Sequence, residues 1–286
     1  GVFQLESGGM RSFMKELKPR SLEDIIAGIS LYRPGPMESI PRYVRNKNHT
    51  NEITYKHPLL EPILNVTYGC IVYQEQVLQI ARDLAGYSLG KADLLRRAMS
   101  KKKADAMKKE RESFIYGQSD EDGTVIVEGA VRRGIPEAVA VAIFDEIMDF
   151  ASYAFNKSHA AAYAVVAYQT AYLKTFYPAE YKAALLTSTM DVTSKVVGYI
   201  NYCTEKAIKL LPPDINKSYS SFTVEEGGIR FGLEAAKNVG RKMLTEITQQ
   251  RDKCGEFKSF TDFCERLSSG ELNKRSLEGL IKCGAF

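Results

Sequence analysis

The chain has 286 residues, 44% of them hydrophobic, and a formal net charge of +4. That length suits one large domain or two smaller ones with packed cores. Five cysteines, an odd number without a C-x-x-C pair, argue against a disulfide framework or a zinc site and fit a reducing compartment. The most apolar stretch, Ala160 to Leu173, is too short to span a bilayer and contains Gln169. With no signal peptide visible, a soluble, cytoplasmic protein is expected. The opening Gly1-Val2-Phe3 lacks a Met and the closing Gly284-Ala285-Phe286 is apolar, so both ends read as cuts within a longer polypeptide.

Helical periodicity dominates. Gly8 to Leu17 predicts a short helix stopped by Pro19. Leu22 to Leu31 predicts a second, with Ser21 as N-cap and Glu23 and Asp24 in its first turn. Arg33-Pro34-Gly35-Pro36 breaks the chain, and residues 37–70 read as irregular. Gln74 to Leu84 is helical again, and Ala92 to Tyr116 reads as one long basic helix. Asp120 to Gly123 is a loop. Pro136 begins a helix reaching about Phe150. After a loop from Ser152 to Lys157, a long helix runs from His159 to Tyr177, where Pro178 stops it and starts the next. Thr193 caps a helix to Leu210, ended by Pro212-Pro213, the best domain boundary. Ser221 to Val224 and Ile229 to Gly232 flank Gly227-Gly228 as a hairpin. Short helices fill the remainder, with no repeat and no low-complexity tract.

Two segments carry a chemical signal. From Lys91 to Arg111 there are nine Lys or Arg against three Asp or Glu, so the rest of the chain is net acidic. Such a block points to a polyanion or, more commonly, to a solvated helix face. Arg97, Lys101 and Lys108 share one helical stripe, and Arg96 and Lys103 a neighbouring one. Leu95 and Met99 supply an apolar face. The planar Arg fork suits phosphate. The second segment is Tyr153 to His159. Ser158 reads as N-cap of the helix behind it, whose N–H groups favour an anion. Lys157 adds charge, His159 a donor, and Tyr153 and Phe155 surfaces for a base. A capped helix with core aromatics explains the same residues equally well. His49, His57 and Cys70 lack ligand spacing, Asp120-Glu121-Asp122 reads as a solvated turn, and neither a phosphate-binding G-x-x-x-x-G-K-[ST] loop nor H-E-x-x-H occurs.

Longer motifs, in order, carry a resemblance. They are Gly1 to Ser7 with Met10, Tyr32 to Pro36, Tyr68-Gly69 through Tyr73 to Gln76, and Leu95 to Met99 with Lys101 to Lys103. Phe155 to Ala161 with Tyr163 and Ala164, Leu211 to Asn216, and Leu280 to Phe286 follow. Together they resemble, end to end, the fingers of the C-family bacterial replicative polymerases, the DNA polymerase III alpha subunits, in their DnaE form. The resemblance implies DNA-templated nucleotidyl transfer with two Mg2+ ions, and fingers that close on the incoming deoxynucleoside triphosphate. It implies that Arg96 and Arg97 are the family's phosphate-contacting pair and that Lys157, Ser158 and His159, with Phe155, form its nucleotide-pocket loop. The family's three catalytic aspartates lie in the palm, ahead of the point where this sequence begins, so no catalytic residue or metal ligand is expected here and the chain alone is expected to be inactive.

Ala236 to Lys242 resembles the hairpin of a helix-hairpin-helix motif, whose backbone N–H groups hold DNA phosphate without reading sequence; an ordinary left-handed turn is the alternative. Lys237, Gly240, Arg241 and Lys242 are thereby expected on DNA, and so are Lys101 and Lys103 of the basic segment. Arg230 and Lys258 fit either phosphate contacts or plain surface charge. The expected architecture is mostly α: a multi-helix fingers domain over 1–212, then a small β-hairpin and helix-hairpin-helix-like region over 213–286. The expected partners are deoxynucleoside triphosphate, primer-template DNA, and the palm and thumb of the subunit. A sliding clamp would be engaged only through regions outside this chain. A non-catalytic helical module gripping phosphate backbone is the alternative.

Overall fold

The computed structural model describes residues 1–100, 104–151, 155–267 and 272–286. Among them the fold is mostly α, as expected, with fourteen α-helices and two small sheets. Contacts divide the chain into two compact units, Val2–Gln169 and Thr170–Phe286 with Gly1.

The first unit opens with α1 (Gly8–Leu17). Ser7 Oγ accepts from the Met10 N–H at its start, and Lys18, at φ 48°, ends it. α2 (Leu22–Leu31) has a full capping box, with Ser21 Oγ accepting from Asp24 N–H and the Asp24 carboxylate accepting from Ser21 N–H. Asp24 also accepts from Arg20 N–H and the Tyr68 hydroxyl, and pairs with Lys47 Nζ at 3.3 Å, both side chains being buried. Gly35, at φ 100°, turns the chain. Residues 37–70 are more ordered than expected. They form α3 (Ile40–Asn48), α4 (Glu61–Leu64) and 3-10 turns at Pro36–Ser39, Thr50–Glu52, Pro58–Leu60 and Asn65–Thr67. Their prolines mislead when read as breakers. Pro36, Pro41, Pro58 and Pro62 stand at the first or second helical position, where the missing N–H has no partner to lose.

α5 (Gln74–Ala85) ends on Gly86 at φ 76°. The single basic helix expected over Ala92–Tyr116 is corrected to α6 (Leu89–Ser100) and α7 (Ala104–Tyr116). Lys91 Nζ lies 2.8 Å from Glu110 Oε1, and the Tyr87 hydroxyl donates to Glu110 at 3.1 Å. Nineteen residues of continuous helix would separate Lys91 from Glu110 by about 28 Å, so the chain folds back. The stripes built on Lys101 and Lys103 lie outside the described residues. β1 (Gln118–Ser119) and β2 (Val125–Val127) pair across the expected loop, where Asp120 Oδ1 accepts from Thr124 N–H. α8 (Glu137–Ala151) follows Pro136. α4 to α8 share one core that includes Ile80, Leu84, Leu95, Phe114, Phe144 and Ile147. A second core joins α1 to α3 with the start of α9 (Lys157–Phe176), which contributes the small buried residues Ala160, Ala164 and Ala167.

The second unit contains α10 (Pro178–Ser188) and α11 (Thr193–Glu205). α11 ends earlier than the expected Leu210. Ala207 is left-handed at φ 55°, and β3 (Lys209–Leu211) runs parallel to β5 (Gly228–Arg230). β4 (Thr223–Glu225) pairs antiparallel to β5 through Glu225↔Gly228. The hairpin turn is therefore Glu226-Gly227, both at positive φ, one residue ahead of the Gly-Gly pair read from sequence. Two residues with φ > 0 match the twist of the flanking strands. Pro212-Pro213 follows β3 directly, so the chain crosses the pair within one sheet-bearing unit. α12 (Arg241–Cys254), α13 (Phe260–Arg266) and α14 (Lys274–Cys283) bury Met243, Leu244, Ile247, Phe263 and Leu280.

An Asp24→Ala substitution removes the α2 capping box and strands the buried Lys47 ammonium. It is expected to cost about 3–5 kcal/mol in urea unfolding. A loss below about 1 kcal/mol would mean that Lys47 reaches water without its carboxylate.

Candidate functional site

The two segments singled out in the sequence meet in the first unit, at the start of α5. Tyr73 and Phe155 form a parallel bridge: Gln74 N–H donates to Phe155 O at 3.0 Å, and Phe155 N–H donates to Val72 O at 3.3 Å. The Glu75 carboxylate accepts from Lys157 N–H with both oxygens at 3.1 Å and from Asn156 Nδ2 at 3.1 Å. From α6, Arg96 Nη1 reaches Gln74 Oε1 at 3.4 Å. Neighbouring residues of one helix start thus touch Arg96 on one side and the Asn156-Lys157 turn on the other.

The first turn of α9 differs from the expected one. Lys157 is already helical, and Asn156, not Ser158, is the cap. Asn156 Oδ1 accepts from His159 N–H at 2.9 Å and from Ser158 Oγ at 2.6 Å. Asn and Ser are comparable N-caps, so the sequence alone does not rank them. Lys157 Nζ lies 3.0 Å from Glu23 Oε2 and 5.3 Å from the Tyr73 ring centre. Phe155, His159 and Tyr163 form a column four residues apart, with ring centres at 5.4 and 4.1 Å. The Arg33 guanidinium covers a face of Phe155 at 3.9 Å. His159 and Ser158 are exposed.

Arg96 and Arg97 share Asp93, through contacts of 2.8 Å and 2.7 Å. The hydrogen bond from Arg96, and then the charges of both arginines, hold the Asp93 carboxyl below its ordinary range. Tyr73 is pushed the other way. Burial raises its phenol first, and the nearby carboxylates of Glu23 and Glu75 raise it further. Asp93 was missed in the sequence, although its place three and four residues ahead of Arg96 and Arg97 is a signal that could have found it. Glu75 and Glu23 have no such signal, being 82 and 134 residues from Lys157.

The C-terminal candidates lie in the second unit. Asn238 is left-handed at φ 66° and Gly240 is extended at φ −88°. The turn that precedes α12 is therefore built on Asn238. Lys237, Gly240, Arg241 and Lys242 are all exposed, and nothing lies within 4 Å of a side chain built on Gly240, so a ligand can approach that backbone. Arg241 pairs with Glu234. Arg230 is corrected to a structural residue: it is buried, pairs with Glu225 and donates to Pro212 O at 2.9 Å. The hairpin is held from behind by Gly279 on α14, where a Cβ would collide with the Lys237 carbonyl.

Residues 1–122 match the family described as the bacterial DNA polymerase III alpha subunit finger domain, and residues 207–286 match the helix-hairpin-helix motif. The chain belongs to the bacterial DNA polymerase III alpha subunit family. Over its full length it is 50% identical to DNA polymerase III subunit alpha of Thermus aquaticus, 48% to that of Deinococcus radiodurans and 46% to that of Escherichia coli K12. It spans 23%, 21% and 24% of those subunits respectively. α5 and α6 lie within the finger match and the start of α9 lies beyond it, the Asn156-Lys157 turn meeting the matched segment through the Glu75 contacts.

Gly279→Ala is expected to cost about 1–3 kcal/mol in chemical denaturation, because the added methyl must displace hairpin backbone. Gly240→Ala, with open space around it, is expected to cost less than about 1 kcal/mol. Equal losses would mean that α14 yields to the methyl without disturbing the hairpin.

Proposed function

We propose that this chain serves DNA replication by gripping the incoming deoxynucleoside triphosphate with its first unit and the primer-template backbone chiefly with its second. The observation that carries the nucleotide grip is the convergence of Arg96 and the Asn156-Lys157 turn on Gln74-Glu75. Arginine forks and a helix start are both suited to phosphate oxygens. Arg96, Arg97 and Lys157 take the triphosphate, Ser158 and His159 offer exposed donors beside it, and Phe155 backs the turn. The DNA grip comprises Lys237, Gly240, Arg241 and Lys242 around an open backbone turn, with Lys101 and Lys103 from the basic segment. The proposed functional division stays at 212/213, inside the Thr170–Phe286 unit and just after the start of the helix-hairpin-helix match at residue 207.

Polymerisation itself belongs, in this reading, to a complete subunit whose palm and thumb surround these residues and whose Mg2+ ions activate and position the reacting oxygens. In this reading the role of this chain is binding and orientation. The sliding clamp is engaged elsewhere, and the setting is the cytoplasm. No helix among the described residues is long and apolar enough to cross a membrane.

In a full-length alpha subunit carrying this sequence, Arg96→Ala or Arg97→Ala is expected to lower single-nucleotide incorporation efficiency roughly tenfold to a hundredfold, since each removes a charge-assisted phosphate contact. Lys at either position restores only part, keeping the charge and losing the fork. Primed-DNA affinity without nucleotide changes far less. Normal incorporation with lost DNA affinity would instead make the basic segment a DNA grip and the chain a phosphate-backbone module.

The combined Lys237→Ala, Arg241→Ala and Lys242→Ala variant is expected to weaken primed-DNA binding equally for all sequences. Its slope of log affinity against log salt should flatten by roughly two to three. An unchanged slope in a salt titration would make the hairpin a plain turn.

A further inference from the structure

The charges assigned to the nucleotide are already answered from within the fold. Glu75 lays both carboxylate oxygens on the Lys157 N–H and takes a further bond from Asn156 Nδ2. Glu23 holds the Lys157 ammonium at 3.0 Å, and Asp93 holds Arg96 and Arg97. Three cations therefore stand against three carboxylates, and the start of α9, where a dipole favours negative charge, has that charge supplied by α5. A triphosphate brought here meets these three cations already answered, with Arg33 on Phe155 as a fourth beside them, and its oxygens need donors that Glu75 occupies.

We propose that Glu75 is an internal latch: its carboxylate takes the position of a phosphate group, keeps the α9 start ordered without nucleotide, and must leave before a triphosphate can engage Lys157 and Asn156. The inference rests on the nucleotide reading above. Its physical basis is that carboxylate and phosphate oxygens seek the same N–H donors, while two such anions close together repel. Glu75 is suited to leaving. It stands at the second position of α5, so its side chain can swing about its own χ angles while the backbone joint, Gln74 N–H to Phe155 O, stays closed. Glu23, which is half exposed, is a second and weaker restraint on the same lysine.

The test compares Glu75→Gln, Glu23→Gln and Lys157→Ala in a full-length alpha subunit carrying this sequence, each first checked for an unchanged melting transition. Two quantities are read: the apparent KM for deoxynucleoside triphosphate in single-nucleotide incorporation, and inhibition by inorganic tripolyphosphate, which has neither base nor sugar. Glu75→Gln is expected to lower both constants by about three- to tenfold, the effect of removing one like charge from a partly exposed site. Glu23→Gln should lower both by a smaller factor. If Glu75→Gln raises KM or leaves both constants in place while Lys157→Ala weakens both, the latch is overturned and Glu75 is a strut that holds the turn. If Lys157→Ala leaves both constants unchanged, the nucleotide reading fails and takes the latch with it. Should Glu75→Gln alter the melting transition, Glu23→Gln decides alone, and a raised or unchanged KM there overturns the proposal.

Discussion

The joint between the starts of α5 and α9 is the constraint on which the rest of the first unit depends. The opening N–H groups of a helix have no partner within it, and here each helix start borrows from the other segment. Gln74 N–H finds Phe155 O, Phe155 N–H finds Val72 O, and Lys157 N–H finds the Glu75 carboxylate. The joint closes because α9 packs by a run of buried alanines, Ala160, Ala164 and Ala167. Small side chains bring the helix close to α1 to α3, so its first turn comes within reach of α5. Arg96 then arrives from α6 through Gln74. Residues 82 apart in sequence thus become one polar cluster with an aromatic column behind it.

Charge counted along the chain and charge presented in space are different quantities in this protein. The stretch from Lys91 to Arg111 is strongly basic as a string. In the fold, Lys91 pairs with Glu110, Arg96 and Arg97 share the single charge of Asp93, and Arg111 pairs with Asp145. Exposed pairs of this kind contribute little to stability, but they cancel field, which matters for any anionic partner. Tyr73 adds a neutral floor beneath Lys157, its phenol kept protonated by burial and by the carboxylates of Glu23 and Glu75.

The second unit separates residues of the same type by depth. Arg230 lies inside the three-stranded sheet, where its donors go to Glu225 and Pro212 O, while Arg241 lies on the surface beside an open hairpin. Its glycines divide in the same way. Gly279 is required by what it touches, the hairpin backbone, whereas Gly240 has open space around it. A hairpin held from behind and bare in front presents N–H groups at a fixed geometry, which is the property a sequence-independent phosphate contact needs.

Local chemistry was enough to read α1, α2, α5 and α8 from the chain. Ser21 caps and Pro136 initiates, as read, and Ser7 and Gly86, which were not singled out in the sequence, also act within about one helical turn. Ordered motifs likewise exposed the family, because they need no knowledge of contacts. Wherever two local choices were nearly equal, tertiary structure made the decision. Asn156 rather than Ser158 caps α9, Glu226-Gly227 rather than Gly227-Gly228 turns the hairpin, and Lys209 to Leu211 leaves the helix because β5 offers a ladder. The chain from Ala92 to Tyr116 reads as one helix by period, yet it folds back and brings Lys91 and Tyr87 to Glu110. Nothing in the sequence marks Glu75 and Glu23 as partners of Lys157. Isolated acids look alike along a chain, and only folding puts these two within 3.1 Å of the Lys157 backbone and ammonium. The sequence by itself determined which segments are helical and which residues are cationic; the tertiary structure decided which carboxylate each cation meets, because that pairing depends on distance in space and not on spacing along the chain.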